Sequence, residues 1–183
     1  MRMRLPASVI AVFLVLLVGC SKPLTKSGIS PSYVHPYQST GAAITILPVV
    51  IRPQPRPWYA TDVQMPDADL YREAIVDTLK RTALFSEVKT SGSADYSLST
   101  EVIGERLLGG ASNIGLFLIR YELTDSSSGK KIWSENIFTY SMLSAEQVFA
   151  GWERVPKVIE TAVSANMKEL AASIGKALST HGR

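Results

Sequence analysis

Two parts of the chain place their inward-facing positions at the three-to-four-residue spacing of an amphipathic helix. The first begins after Asp67, and the carboxylate of Asp67 or Asp69 can accept hydrogen bonds from the free amide groups at a helix start. The second runs from about residue 155 to residue 178 and has Pro156 where a first helical turn tolerates proline. The spacing therefore predicts two helices that each bury one face. These positions are Leu70, Tyr71, Ala74, Ile75, Thr78, Leu79 and Thr82 in the first helix, and Ile159, Val163, Met167, Leu170, Ile174 and Leu178 in the second.

Three segments between these helices alternate apolar and polar residues with the period of a β-strand. They are "ADYSLSTEVIGE", "GLFLIRYELTD" and "IWSENIFTYSM". The polar run "SSSGKK" separates the second from the third, which predicts an antiparallel hairpin with a loop longer than two residues. The glycine-containing "RLLGGASNIG" precedes a strand rather than a helix, so it predicts a loop or hairpin connection and not a phosphate-binding loop.

Shorter extended segments flank the first helix. "AAITILPVVIRP" is rich in β-branched residues, but Pro48 lacks an amide donor and therefore favours an edge strand or a bulge. "SEVKT" predicts a brief strand after the helix. Together the elements predict an α+β fold of two layers, with a mainly antiparallel sheet of about four to five strands and both helices on one face.

The amino terminus has a different pattern. Arg2 and Arg4 precede an apolar run that is too short to span a bilayer, and small Gly19 stands directly before Cys20, the only cysteine. This pattern predicts a secretory signal peptide over residues 1–19. The alternative is an uncleaved amino-terminal anchor with a buried cysteine.

The sequence "LVGC" at residues 17–20 resembles the lipobox of bacterial lipoproteins. The resemblance implies cleavage between Gly19 and Cys20, a diacylglycerol on the Cys20 thiol and an acyl chain on its amine, with no other cofactor. Two or more acyl chains hold a protein stably on a membrane. Because residue 21 is Ser rather than Asp, the family's sorting rule implies the periplasmic face of the outer membrane.

Residues 20–42 contain many Ser, Thr, Gly and Pro residues and few aliphatic ones. This composition predicts a flexible tether, which follows the lipidated Cys20 implied by the resemblance. A single domain over residues 43–183 comes next, and the resemblance places it in the periplasm. As an alternative, Tyr33 and Tyr37 could dock on the domain or on a partner.

Residues 53–59, "PQPRPWY", combine alternating prolines with two aromatic residues. Such a segment favours polyproline II structure and is unsuited to a helix or a central strand. It is either a stiff loop that packs on its own domain or a partner contact through Pro55, Pro57, Trp58 and Tyr59.

The sequence offers little for catalysis, and we predict no enzyme, catalytic residue or metal site. His35 and His181 lie near the two ends of the mature chain, and Cys20 is assigned to the anchor. The strand carboxylates Glu101, Glu105, Glu122 and Glu135 suit the solvent face of the sheet. Asn166 lies near an apolar helix face, where it can pair with the sheet backbone or a neighbouring subunit.

Charge argues against nucleic-acid binding. Of the 19 Lys and Arg residues, Arg2 and Arg4 belong to the signal, so 17 remain against 16 Asp and Glu residues. No run of basic residues provides the clustered positive surface that phosphates require.

At the level of element order, the chain resembles the periplasmic domains of the TolB amino-terminal, curli-secretion and Pel-polysaccharide lipoprotein group. "FSEVKTSGSADYSLSTEV", "YELTDSSSGKKIWSENI" and "ANMKEL" also resemble an uncharacterised proteobacterial lipoprotein type. The resemblance implies a non-catalytic accessory of envelope assembly or export, with an envelope protein or a second copy as partner. The alternative is a periplasmic carrier of a lipid-like or polysaccharide ligand.

Overall fold

The computed structural model describes residues 23–34, 36–37, 39–54, 64–109, 112–144, 146–147 and 151–181. Three helices and five strands make up this part of the chain, and they alternate irregularly along it. In chain order they are α1 (Lys26–Ile29), β1 (Ala43–Ile51), α2 (Ala68–Thr82), β2 (Glu87–Lys89), β3 (Tyr96–Leu108), β4 (Ser112–Asp125), β5 (Lys131–Ser144) and α3 (Gly151–His181).

The strands form one mixed sheet in the order β2-β1-β3-β4-β5. β1 pairs in parallel with β2 and β3, whereas β3, β4 and β5 form a long antiparallel meander. Parallel neighbours need a crossover connection, which α2 supplies between β1 and β2. The prediction of an α+β fold with a mainly antiparallel sheet is confirmed.

β1 accommodates Pro48 through an irregularity in its pairing. The register with β3 shifts between Ile46 and Val49, and the partner β2 reaches only as far as Thr45. Pro48 therefore lies where β1 forms no regular ladder of backbone hydrogen bonds, and its missing amide donor breaks none. The sequence predicted an edge strand or a bulge at Pro48, and the structure has a bulge there.

The core lies between one face of the sheet and helices α2 and α3. Asp67 caps α2, because its Oδ1 accepts a hydrogen bond from the amide of Leu70 at 2.7 Å. All the predicted inward positions of α2 except Leu70 are buried, and so are all those of α3. The matching sheet residues Leu98, Val102, Phe117, Ile119, Tyr121 and Leu123 are also buried.

Helix α3 starts earlier than the sequence suggested. The expected start near residue 155 rested on Pro156, but the helix begins at Gly151 and contains Pro156 in its second turn. Proline at that place removes one backbone hydrogen bond. The buried residues that follow, Val158 and Ile159, hold the helix on the sheet and outweigh this loss.

A second bulge corrects the expectation for Glu105. Val102 pairs with Ile119 and Gly104 with Leu118, so one residue of β3 is unpaired at position 103. Because side chains alternate along a strand, the extra residue turns Glu105 to the helix-covered face. There its Oε2 accepts a hydrogen bond from the hydroxyl of buried Tyr71 at 3.2 Å.

The described part of residues 20–42 packs on the domain and does not form the flexible tether that the composition suggested. We call residues 23–34, 36 and 37 the strap. Ile29 is fully buried, and the amide of Tyr37 donates to the carbonyl of Thr82 at 2.8 Å. The few apolar residues of the strap are therefore sufficient to order it, because the groove between α2 and α3 receives them. This agrees with the docking alternative for Tyr37, whereas Tyr33 is exposed.

Candidate interaction surface

The face of the sheet opposite the helices carries an exposed apolar surface. Three cross-strand rows of β3, β4 and β5 build it, and alternation along each strand points their side chains away from the core. Tyr140 is 68% exposed, Phe138 58%, Met142 56% and Leu108 42%. We call this surface the open-face patch. Its rows are Leu108, Ile114 and Met142; Arg106, Leu116 and Tyr140; and Gly104, Leu118 and Phe138.

Its composition is unusual for a surface that only contacts water. Large contiguous apolar patches on soluble proteins mark interaction sites, and interfaces are enriched in aromatic residues, Met and Arg. Phe138, Tyr140, Met142 and Arg106 supply these residue types within two strands. The patch therefore has the composition of an interface core.

A charged row borders the patch on one side. Glu101 on β3 forms an ion pair with Arg52, which follows β1, and another with Arg120 on β4 at 3.2 Å. Arg120 also donates to Oδ1 of Asn136 on β5 at 3.1 Å. The hydrogen bond from Arg52, helped by the charges of Arg52 and Arg120, lowers the pKa of Glu101. Glu101 therefore remains ionised at neutral pH. The charged row limits the apolar surface to the far end of the sheet.

Buried polar contacts attach α3 to the other face of β5. The side-chain amide of Asn166 donates to the carbonyl of Ile137 at 3.0 Å, and its Oδ1 accepts from the hydroxyl of Tyr121 at 2.7 Å. Thr139 donates to the carbonyl of Ala162 at 2.9 Å. Of the two alternatives that the sequence left open for Asn166, the structure shows the pairing with the sheet backbone. Burial raises the pKa of Tyr121, so its hydroxyl stays protonated as a donor.

Helix α3 also approaches β4 very closely. A Cβ atom built on Gly115 would lie 2.8 Å from Cγ1 of Val158, which is closer than packed carbon atoms allow. Glycine is therefore required at this crossing. The contact keeps α3 on the helix-covered face and leaves the opposite face free.

A shallow cavity of about 380 Å³ lies between α1 and α2. Charged residues dominate its lining, which consists of Lys26, Asp69, Arg72, Glu73, Val76, Asp77, Lys80 and Thr90. An acyl chain binds in apolar surroundings. This cavity therefore lacks the lining that a lipid carrier needs.

No group of three or more His, Cys, Asp or Glu residues within the described ranges is arranged to bind a metal ion. Glu101 and Glu122 lie on the open face in ion pairs with arginine or lysine. Tyr71 and Glu105 form a contact between a phenol and a carboxylate, and burial raises the pKa of Tyr71. A phenol held protonated in the core has a structural role as a hydrogen-bond donor.

Several predicted site residues lie outside the described ranges. Gly19 and Cys20 are among them, so signal cleavage and lipidation remain predictions. Pro55, Pro57, Trp58 and Tyr59 also fall there, and their partner contact remains a prediction. None of the described helices combines the length and apolar character needed to cross a membrane.

Sequence reasoning missed the open-face patch, although a signal was present. In "GLFLIRYELTD" both alternating sets begin with apolar residues, since Leu116 and Leu118 alternate with Phe117 and Ile119. On the next strand Phe138, Tyr140 and Met142 form an apolar set, although Thr139 and Ser141 alternate with them. Apolar residues on the outward set of two neighbouring strands predict a sheet with a second contact surface.

Solved structures share this fold. A Xanthomonas campestris protein of the DUF330 family has a TM-score of 0.63 at 15% identity, with 84% of this chain and 94% of that chain covered. Protein CT253 of Chlamydia trachomatis has a TM-score of 0.56 at 13% identity, covering 76% and 98%. PelC of Paraburkholderia phytofirmans, solved as a dodecamer, has a TM-score of 0.49 at 18% identity, covering 76% and 93%.

At these identities the similarity to the Xanthomonas campestris and Chlamydia trachomatis proteins establishes the fold alone. No protein-family profile matches the chain, and no curated protein matches its sequence significantly.

Proposed function

We propose that this chain is a non-catalytic envelope lipoprotein that is anchored through lipid on Cys20 and binds a protein partner through the open-face patch. The observation that carries the proposal is the exposure of Phe138, Tyr140 and Met142 on a sheet face that no described helix covers. The anchor keeps the domain at the outer membrane, on its periplasmic side, and the patch recruits a component of envelope assembly or export.

The composition of the patch favours a protein as its occupant. Aromatic residues and Met provide large contact areas, and Arg106 beside Tyr140 offers a charge that pairs with a carboxylate or backbone carbonyl. An acyl chain would need enclosure by apolar walls, whereas a sheet face with residues more than half exposed encloses nothing. A protein with a complementary apolar face is therefore the preferred occupant.

Site-specific photocrosslinking in living cells tests the proposal. Benzoylphenylalanine replaces Phe138 or Tyr140 in separate strains, and a third strain carries it at Tyr33, which is 63% exposed but lies on the strap. We expect Phe138 and Tyr140 to yield the same crosslinked envelope protein, and Tyr33 not to yield it. Mass spectrometry identifies the product.

A matched substitution establishes whether the contact matters. Tyr140→Ser removes an exposed aromatic residue, whereas Glu135→Ser changes an exposed residue of the same strand outside the patch. The proposal requires that Tyr140→Ser reduces co-purification of the identified protein and that Glu135→Ser does not. Equal capture by both variants, or crosslinks shared with position 33, would contradict it.

Other crosslinked products distinguish the alternatives. A product of twice the protomer mass would assign the patch to a second copy of this chain. A lipid or glycan adduct at positions 138 and 140 would support the carrier interpretation and overturn the proposal of a protein partner.

A further inference from the structure

We infer that the docked strap holds the domain directly on the membrane, with α2 and α3 facing the lipid headgroups and the open-face patch directed away from them. The inference rests on the proposed lipid attachment at Cys20. It adds a second interaction surface, the strap and the exposed sides of the helices, whose partner is the headgroup surface of the bilayer.

The strap is attached to the helix layer by contacts along its length. Helix α1 packs against both α2 and α3. Arg81 on α2 donates to the carbonyl of Pro31 at 2.8 Å, and a Cβ atom on Gly28 would overlap the carboxylate of Glu160 on α3. The Tyr37 ring contacts α3 so closely that a Cβ atom on Gly175 would lie 2.8 Å from it. The strap is therefore part of the helix side of the domain.

The described part of the chain begins only a few residues after the proposed anchor. Leu24 packs on the core, and only Ser21, Lys22 and Pro23 separate it from Cys20. Because an extended chain spans at most about 3.3–3.6 Å per residue, the lipid-bearing residue lies within about 14 Å of Leu24. The short connection brings the side of the domain that carries Leu24 against the headgroups.

The open-face patch lies on the other side of two layers of structure. Both α2 and α3 contact the opposite face of the sheet, through Tyr71 with Glu105 and Asn166 with Tyr121. A helix layer alone is about 10 Å thick. A link of three residues cannot turn the domain over, so Phe138 and Tyr140 face the aqueous compartment and are accessible to a partner.

Lysine footprinting on vesicles tests this orientation. Cys20 is the only cysteine, so the mature chain from residue 20 can be coupled through its thiol to a maleimide phospholipid in phosphatidylethanolamine–phosphatidylglycerol vesicles. A water-soluble acetylating reagent then reports the accessibility of each lysine by mass spectrometry. We expect several-fold slower modification of Lys26 and Lys157, which are exposed on the helix side, than in the uncoupled protein.

Lys131 is the internal control, because it lies on β5 in an ion pair with Glu122 on the open face. Its rate should be the same with and without coupling. A matched variant carries about 20 Gly and Ser residues inserted between Lys22 and Pro23, a linker with an average span of about 25 Å. Coupled through this linker, Lys26 and Lys157 should regain their rates in solution.

Equal slowing of Lys26, Lys157 and Lys131, or preferential slowing of Lys131, would overturn the inference. So would protection of Lys26 and Lys157 that persists with the long linker, because the short connection would then not set the orientation. The coupling is chemical, so these results do not depend on lipidation in cells. Cys20→Ser tests that separately, and the two ideas can fail independently.

Discussion

At the scale of single residues, buried polar groups determine how the layers are joined. Asn166 is fully buried and connects α3 to two strands through the carbonyl of Ile137 and the hydroxyl of Tyr121. A buried polar group that loses its partner is costly because water cannot replace the lost hydrogen bond. This makes Asn166 a more sensitive position than its neighbours on the same helix face.

We expect Asn166→Leu to lower the free energy of unfolding by about 1–3 kcal/mol, because it leaves two buried groups without partners. Chemical denaturation measures the change. Asn136→Leu is the control, since Asn136 is exposed and its loss leaves no buried group unpaired. Equal effects of the two substitutions would show that the buried contacts contribute nothing specific.

The turn between β4 and β5 lowers the pKa of Asp125. Its Oδ1 accepts hydrogen bonds from the hydroxyls and amides of Ser127 and Ser128 in the turn between β4 and β5. These bonds, with the Ser127 hydroxyl first, lower the pKa of Asp125 to about 2. The carboxylate form therefore stabilises the turn.

A carbon-13 NMR titration should give a midpoint near pH 2 for Asp125. The pKa is lower in the folded than in the unfolded state, so the stabilisation is present above pH 3.8 and is lost as the pH falls towards 2. Ser127→Ala should move the midpoint upward, whereas Ser134→Ala on β5 should not. A normal midpoint in the wild-type protein would contradict the role of the turn.

At the scale of elements, the crossing of α3 over β4 depends on one missing side chain. Gly115 allows Val158 to approach the strand, and the distance of 2.8 Å leaves no room for a methyl group. Gly104 on the neighbouring strand lacks this constraint, because its nearest neighbour would be the Cβ atom of Leu118 at 3.8 Å. The two glycines therefore form a matched pair.

Gly115→Ala should reduce the free energy of unfolding by about 1–3 kcal/mol through overpacking against α3. Gly104→Ala should have little effect in the same thermal or chemical denaturation experiment. Adding Val158→Ala to Gly115→Ala should recover part of the loss, since it removes the clashing methyl group. If the loss of stability in the double variant equals the sum of the losses in Gly115→Ala and Val158→Ala, the clash is not the cause.

At the scale of the whole molecule, the domain has two unlike sides. The helix side carries the strap and leads to the proposed lipid anchor, whereas the sheet side exposes the open-face patch. In such an arrangement, attachment and recruitment use separate surfaces. The proposed membrane attachment and the proposed partner binding therefore do not compete for one surface.

Removal of the anchor should abolish membrane attachment without changing the stability of the domain. We expect Cys20→Ser to move the protein from the membrane fraction to the soluble fraction, because the substituted residue cannot carry the acyl chains that hold a lipoprotein on a membrane. The purified variant should keep the melting temperature of the mature wild-type chain. Fractionation of cells followed by immunoblotting measures the first result. A cleaved Cys20→Ser protein that stays with the outer membrane would contradict the anchor.

The sequence alone determined the two main helices, the three long strands and the fold class. These features follow from local periodicity, since each element repeats its inward residues every two or every three to four positions. The same reasoning limited the helix cap to Asp67 or Asp69 and the partner of Asn166 to the sheet backbone or a neighbouring subunit. The structure shows the cap at Asp67 and the pairing of Asn166 with the sheet.

Only the tertiary structure decided where several segments and side chains lie. One unpaired residue at position 103 turned Glu105 inward, and bulges of this kind leave no reliable mark in hydrophobic periodicity. The strap docks in a groove between α2 and α3, which are distant from each other in sequence. Because the composition of the strap contains no information about this groove, it suggested a flexible tether. The open-face patch emerged in the same way, because strand register aligns Leu108, Tyr140 and Met142 and the placement of both helices leaves them uncovered.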